Sequence, residues 1–168
     1  MTRVYLDPPI AADSQRGGGQ VDLSPYVHPP NKEAQWFSPS NAVNLPPLLT
    51  ANPGALILSY PVPPGYQGVI KKIALVSLAG GFVDFSGEIV FRVFIDQSPV
   101  QNYENIPFQI GTLAQPDDTF IPVEGGSTIY IYVQTFTVPP PSGQAAARIE
   151  GYQWPSTRQQ SFLTAGLQ

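Results

Sequence analysis

Apolar and polar positions follow different patterns on the two sides of residue 54. From Ala55 onward the chain consists of short β-like runs separated by Gly, Pro, Asn and Asp, a spacing typical of a β-sandwich or barrel. Eight runs are predicted as strands: Ala55–Val62, Gly68–Leu78, Glu88–Ile95, Ser98–Tyr103, Phe108–Leu113, Thr119–Val123, Ser127–Val138 and Ala145–Trp154.

Two of these runs alternate clearly, which predicts one face against a core and the other away from it. In Glu88–Ile95 the core face would carry Ile89, Phe91, Val93 and Ile95, with Glu88 and Arg92 opposite. In Ser127–Val138 the core face would carry Ile129, Ile131 and Val133, with Tyr130, Tyr132 and Gln134 opposite. Asp96-Gln97 is predicted to be the turn of a hairpin that begins with Glu88–Ile95.

The pattern predicts an all-β fold, an eight-stranded antiparallel sandwich that is jelly-roll-like. Pattern alone leaves an immunoglobulin-like sandwich and a small barrel open. The long connections Ala79–Gly87 and Tyr103–Phe108 favour the jelly roll, whose crossings between sheets need more than tight hairpins. No segment has a sustained helical stripe, apart from a possible turn or two around Asn31–Phe37.

Residues 1–54 are predicted to be an extended, proline-rich arm, residues 55–155 the β-sandwich domain, and residues 156–168 a polar tail. The arm carries apolar clusters between proline pairs, and proline lowers the entropy that an extended segment loses on docking. We therefore expect it to contact neighbouring subunits; packing on its own domain and disorder are the alternatives. The anchors are Tyr5, Leu6, Tyr26, Trp36 and Phe37.

The amino-acid composition excludes several classes of function. The chain has no cysteine, which excludes disulfides, thiolate metal sites and cysteine nucleophiles. A net charge of −4 argues against nucleic-acid binding, which needs clustered Lys and Arg. No apolar run approaches the ~20 residues of a membrane span, and the N-terminus lacks the apolar core of a secretory signal. The expectation is a soluble protein, made inside the cell, that binds neither nucleic acid nor membrane.

The sequence offers only weak candidates for catalytic or metal-binding residues, so we predict a non-enzyme with no catalytic, cofactor or metal site. The single histidine, His28, lies in the arm. Asp117-Asp118 with Glu124 could supply oxygen ligands to calcium, but turn capping is commoner for such residues. Asp84 and Glu88 could form a glycosidase pair, but acids at this spacing have little specificity.

Aromatic residues could instead form a sugar-binding platform. Tyr and Phe are also favoured strand residues, so most of them are expected in the core or in cross-strand pairs. The candidates are Phe82, Phe85, Tyr103, Tyr130, Tyr132, Tyr152 and Trp154.

The order of motifs in roughly residues 60–155 resembles small β-sandwich virion proteins of tailed bacteriophages. The sequence departs from that pattern at Gln97, where the hairpin often has glycine. The resemblance rests on VPPGYQGVIKKI (Val62–Ile73), IVFRVFID (Ile89–Asp96), Pro99-Val100, GTL (Gly111–Leu113) with Pro116, VEGGSTI (Val123–Ile129) and GYQWP (Gly151–Pro155).

The resemblance implies a capsid decoration or cement protein: a homo-oligomer, expected to be a trimer, on the outer capsid surface of the virion, made in the host cytoplasm. Its partner would be the major capsid protein, and its arms would clamp neighbouring capsid subunits. The alternative is a head-fibre or tail-associated receptor-binding protein that recognises host glycans through Ala79–Gly87, with Phe82 and Phe85. A lyase or hydrolase domain is the weakest rival.

Overall fold

The computed structural model describes residues 33–45, 50–79, 82, 84–137 and 143–156, and these form nine β-strands. No helix long and apolar enough to cross a membrane occurs among these residues. The strands are β1 (Gln35–Phe37), β2 (Ser40–Asn44), β3 (Ala55–Pro61), β4 (Tyr66–Ala79), β5 (Ile89–Ile95), β6 (Ser98–Pro99), β7 (Asp117–Glu124), β8 (Thr128–Thr135) and β9 (Gln144–Pro155).

Two antiparallel sheets make up the fold. The first sheet has the order β1/β2, β9, β4, β7, with β1 and β2 both paired to β9; the second has the order β3, β8, β5, β6. The pairs β2·β9, β3·β8, β4·β7 and β5·β6 are nested, as in one long hairpin whose successive strand pairs alternate between the sheets. This is the topology of a jelly roll, so the predicted fold class is confirmed.

The core lies between the two sheets, and the predicted alternation produces it. Phe91 and Val93 of β5 and Ile129, Ile131 and Val133 of β8 are fully buried. They pack with Ile73 and Leu75 of β4 and with Ile149 of β9 in one apolar cluster. The faces assigned to these two strands from the sequence are therefore confirmed.

Two of the predicted strands were wrong in whole or in part. Ser98–Tyr103 contributes only the two residues of β6. Phe108–Leu113 is not a strand: Ile110 and Leu75 exchange two backbone hydrogen bonds of 2.9 and 3.0 Å, and pairing stops there. Gly111 then has a left-handed φ of 57°, which turns the chain away from β4.

The eighth strand position is filled from the segment predicted to be an arm. β1 pairs with one half of β9 and β2 with the other, so the sandwich begins at Gln35 and not at residue 55. A helical turn was also expected around Asn31–Phe37; Gln35–Phe37 is a strand instead, and Asn31 and Lys32 lie outside the described residues. An unpaired edge of β9 explains the difference, since backbone groups there need partners that residues 55–155 do not supply.

The predicted hairpin at Asp96-Gln97 is confirmed by the pairing of β5 with β6. Asp96 takes the left-handed conformation, with φ 55°, which an Asp tolerates better than most residues. Its Oδ1 accepts a hydrogen bond of 2.8 Å from the Thr128 backbone N, and its own N donates to the Thr128 carbonyl oxygen. The hairpin turn is thereby fixed to the start of β8.

The β4–β9 contact predicts a strict requirement for glycine at residue 151. A Cβ there would overlap the Val69 carbonyl oxygen and lie 2.7 Å from Phe37 Cζ. We expect Gly151→Ala to lower the free energy of unfolding by about 3 kcal/mol, because backbone atoms must move to accept it. Urea denaturation measures the change.

Gly68→Ala is the matched control, on the neighbouring strand. A Cβ at residue 68 would meet the Tyr152 carbonyl oxygen at 3.4 Å, an ordinary contact. The expected change is below about 1 kcal/mol. Equal losses in the two variants would show that close packing at Gly151 is not the cause.

Candidate interaction surface

Trp36 and Phe37 lie on opposite faces of the first sheet, because successive strand residues point to opposite sides. Trp36 is paired with Tyr152 of β9, and their rings meet edge to face with centroids 4.7 Å apart. Trp36 remains 49% exposed. Of the predicted arm anchors in the described residues, Trp36 is the one open to a partner.

Phe37 belongs to the core of its own chain, which corrects its assignment as a contact to a neighbouring subunit. It is 7% exposed, lies opposite Gly151 and stacks on Tyr60 of the second sheet at 4.6 Å between centroids. The absence of a side chain at Gly151 leaves the space that the ring occupies. The other anchors, Tyr5, Leu6 and Tyr26, lie outside the described residues.

A chain of hydrogen bonds that begins at Tyr60, the residue stacked on Phe37, joins the two sheets. The Tyr60 hydroxyl lies 3.0 Å from Gln153 Oε1, to which it donates. Gln153 Nε2 donates in turn to Gln35 Oε1 at 3.2 Å. β1 is therefore held to β3 through side chains as well as to β9 through its backbone.

A second polar cluster fixes the connection between β1 and β2. Arg148 forms an ion pair with Glu150, and Arg148 Nε donates to Ser38 Oγ at 3.1 Å. Arg148 Nη1 also donates to the Leu113 carbonyl oxygen at 2.6 Å. Since Glu150 is 9% exposed, its charge depends on Arg148 for compensation. The cluster holds the point at which the N-terminal segment enters the sheet.

The outer face of the second sheet carries a group of aromatic rings. Tyr132 of β8 stacks on Tyr130 at 6.1 Å and meets Phe94 of β5 edge to face at 5.6 Å. Leu56 lies beside Tyr132 on β3 and is 44% exposed. Tyr130 and Tyr132 were among the sequence candidates for a sugar platform; Phe94 was missed, although the alternation of β5 assigns it to this face.

Residues 50–54 lie against this aromatic face and form a wall beside it. Gln134 Nε2 donates to the backbone carbonyl oxygens of Thr50 and Ala51, at 2.9 and 2.8 Å. Arg92 Nη1 donates to Asn52 Oδ1. The result is a groove of about 340 Å³ lined by Asn52, Pro53, Phe94, Asp96, Gln97 and Tyr132.

The remaining aromatic candidates are in several different settings. Phe85 is 73% exposed with a φ of 63° and stacks on Phe108 at 4.8 Å. Phe82 and Tyr103 pack against the core, and Trp154 is buried. Tyr103 also lies beside a 570 Å³ cavity near the β7 edge, and none of the lining residues of this cavity is charged. Only some of the candidate rings therefore share one surface.

The acids of the weak metal candidate are not brought together. Asp117 and Glu124 stand at opposite ends of β7, roughly 23 Å apart at ~3.3 Å per residue, so they cannot share an ion. Asp117 Oδ2 instead accepts from the Gly111 backbone N at 3.0 Å, and Asp84 Oδ1 accepts from the Gln109 N. In the described part of the chain, no three His, Cys, Asp or Glu side chains are grouped to hold a metal. His28 lies outside it.

Comparison with known protein families and with curated proteins finds no match to this sequence.

The Arg148–Glu150 pair predicts an asymmetric mutational effect. Arg148→Met leaves the Glu150 carboxylate without its partner, and we expect it to cost about 2–3 kcal/mol of unfolding free energy. Adding Glu150→Gln removes the uncompensated charge, so the double variant should recover at least half of that loss. Chemical denaturation of both single variants and the double variant tests this; strictly additive losses would contradict it.

Tyr60 predicts a stability change at alkaline pH. Burial raises the pKa of its phenol above the ordinary 10.0, so the folded state disfavours the phenolate. This contribution is complete below about pH 10 and is lost as the pH rises through the folded-state pKa. Tyr60→Phe should lower the free energy of unfolding by about 1 kcal/mol at pH 8, because the hydrogen bond to Gln153 is lost. Between pH 9 and pH 11 the variant should lose less stability than the wild type.

The comparison is made by urea denaturation of the wild type and Tyr60→Phe at both ends of that range. Tyr130→Phe on the outer face controls for the removal of any one phenol. If the wild type and Tyr60→Phe lose equal stability on going to alkaline pH, Tyr60 is not the titrating group.

Proposed function

We propose that the chain is a structural virion protein of a tailed phage, which binds the outer capsid surface and stabilises it as a decoration or cement protein. It would act as a homotrimer, and its N-terminal segment would clamp neighbouring major capsid protein subunits. The proposed activity is binding, and it involves no catalytic step.

The observation that carries the proposal is the position of Trp36. It lies in the first strand of the sandwich, on an outer face, and is half exposed. A large exposed aromatic side chain of this kind is a typical anchor in a protein interface. The N-terminal segment therefore enters the domain next to an exposed side chain that a partner can contact.

The length and composition of that segment also support the proposal. The 34 residues before β1 include the apolar anchors Tyr5, Leu6 and Tyr26 and several prolines. At ~3.3 Å per extended residue, a segment of this length can span at most about 110 Å. That is enough to reach more than one adjacent subunit, and many weak contacts in a lattice add through effective concentration.

The test compares the full chain with a version that lacks residues 1–32, using cosedimentation with capsids that lack this protein. The truncation leaves β1 and β2 intact, which removal of residues 1–54 would not. We expect capsid binding to be lost on truncation and to fall at least ten-fold in Trp36→Ala, about 1.4 kcal/mol. Mass photometry of the free protein measures whether it is a trimer.

Phe136→Ala is the matched control, because Phe136 is 44% exposed but lies beyond β8 of the other sheet. It should bind capsids as the wild type does. Undiminished binding of the truncated chain, or equal losses in Trp36→Ala and Phe136→Ala, would refute the arm-clamped mechanism.

The exposed side chain of Phe85 favours a second candidate function, that of a head-fibre or tail-associated receptor-binding protein. Phe85 combines high exposure with a left-handed backbone, a conformation that costs about 1 kcal/mol or more for a bulky residue. Its N donates to the Pro107 carbonyl oxygen at 2.7 Å, which holds the strained tip in place. Binding to host cells that depends on Phe85, together with no capsid binding, would favour this candidate.

A further inference from the structure

We infer that the groove between residues 52–53 and the Asp96-Gln97 turn is a binding site for a neutral saccharide. This inference goes beyond the proposed capsid function, because it concerns the outer face of the second sheet and a ligand of another chemical class. It rests on how the groove is built, on its chemistry and on its size.

The groove is preformed by interactions on both sides. Gln134 is 2% exposed and holds two carbonyl groups of the wall, while Arg92 holds the Asn52 side chain. A Cβ on Gly54 would lie 2.8 Å from Gln134 Cγ, so glycine allows the wall to approach this closely. On the far side, the bond from Thr128 N to Asp96 Oδ1 fixes the turn. A rigid site loses little entropy when a weakly held ligand binds.

The lining combines the two kinds of group that a sugar needs. Phe94 and Tyr132 supply ring surface, whose negative π-face attracts the polarised C–H groups of a pyranose. Asn52 and Gln97 supply amide donors and acceptors, and the Asp96 carboxylate can accept hydrogen bonds from sugar hydroxyl groups. An apolar ligand would cover the remaining donors and acceptors of these groups without forming hydrogen bonds to them.

Charge and volume restrict the ligand further. Asp96 is the one charged residue among those that line the groove; the nearby Arg92 is not part of the lining, and its Nη1 is bonded to Asn52 Oδ1. A ligand in the groove therefore meets the Asp96 carboxylate directly, which favours a neutral sugar over an anionic one. The volume of about 340 Å³ is at the low end of the 300–1,000 Å³ range of small-molecule sites. One or two sugar rings therefore fit this groove, with the rest of a longer glycan in solvent.

The test is saturation-transfer NMR on the full chain with a set of probes: glucose, galactose, mannose, N-acetylglucosamine, lactose, maltose and, as the anionic comparator, sialyllactose. We expect at least one neutral probe to receive saturation and sialyllactose to receive less than lactose. The best probe is then titrated against Tyr132→Ala, with at least a ten-fold loss of affinity expected from removal of the ring.

Tyr130→Ala is the matched control, two residues earlier on the same face of the same strand but outside the groove lining. Its affinity should stay within about two-fold of the wild type. Gln97→Ala changes an exposed turn residue and should lower affinity roughly three-fold or more even if Tyr132→Ala fails to fold. Asp96→Asn keeps an oxygen to accept from Thr128 and removes only the charge, so it should reduce the discrimination against sialyllactose.

The inference is overturned if no neutral probe binds, or if one binds with the same affinity in Gln97→Ala and in the wild type. Binding of a peptide or protein at the groove with no saccharide binding would overturn it as well. Because the assay uses free protein and small sugars, its outcome is independent of whether the chain binds capsids.

Discussion

The pairing of β4 with β9 is the constraint on which the rest of the molecule depends. It runs from Tyr66 opposite Pro155 to Ala79 opposite Gln144, and it leaves one free edge on each strand. β4 uses its free edge to pair with β7, and β9 uses its own to pair with β1 and β2. The first sheet is complete only when both edges are filled, because unpaired backbone groups in a buried sheet are costly.

Small residues on β9 determine how closely other elements approach it. Ala145, Ala147 and Gly151 take little room, so the second sheet and the Phe37 ring pack directly against the strand. On the opposite face, Arg148 and Glu150 hold Ser38 and the loop at Leu113. One strand thereby sets both the depth of Phe37 in the core and the position of Trp36 outside it.

Sequence patterns predicted the fold well where burial alone decides the structure. Ile129, Ile131 and Val133 alternate with polar or aromatic residues, and period-two alternation of this kind is a direct consequence of one buried face. The pattern failed at β1 and β2, since QWF and SNAVN have no long alternation and become strands only because β9 offers them an edge. The error at Phe108–Leu113 was the opposite one, because this apolar stretch was predicted as a strand. It lacks a partner along its length and forms only the bridge between Ile110 and Leu75.

The surface features were harder to predict because they depend on distant parts of the chain. Tyr132 and Asn52 line one groove although eighty residues separate them. The Asn52 segment is held there by the side chain of Gln134, a residue expected to face away from the core, through the carbonyl groups of Thr50 and Ala51. No local pattern around Asn52 predicts that neighbour. Trp36 and Phe37 are adjacent aromatic residues, and the sequence predicts both as contacts to a partner. Only the pairing of β1 with β9 shows that Trp36 faces outward and Phe37 faces the core.

The two proposed surfaces lie on opposite sides of the sandwich, and this separation has a functional consequence. Trp36 is on the outer face of the first sheet, while Phe94 and Tyr132 are on the outer face of the second. Core side chains fill the space between the sheets, so a ligand on one face does not obstruct the other. If a particle holds the protein through the Trp36 side, the groove therefore faces away from that particle and stays open to a saccharide in solution.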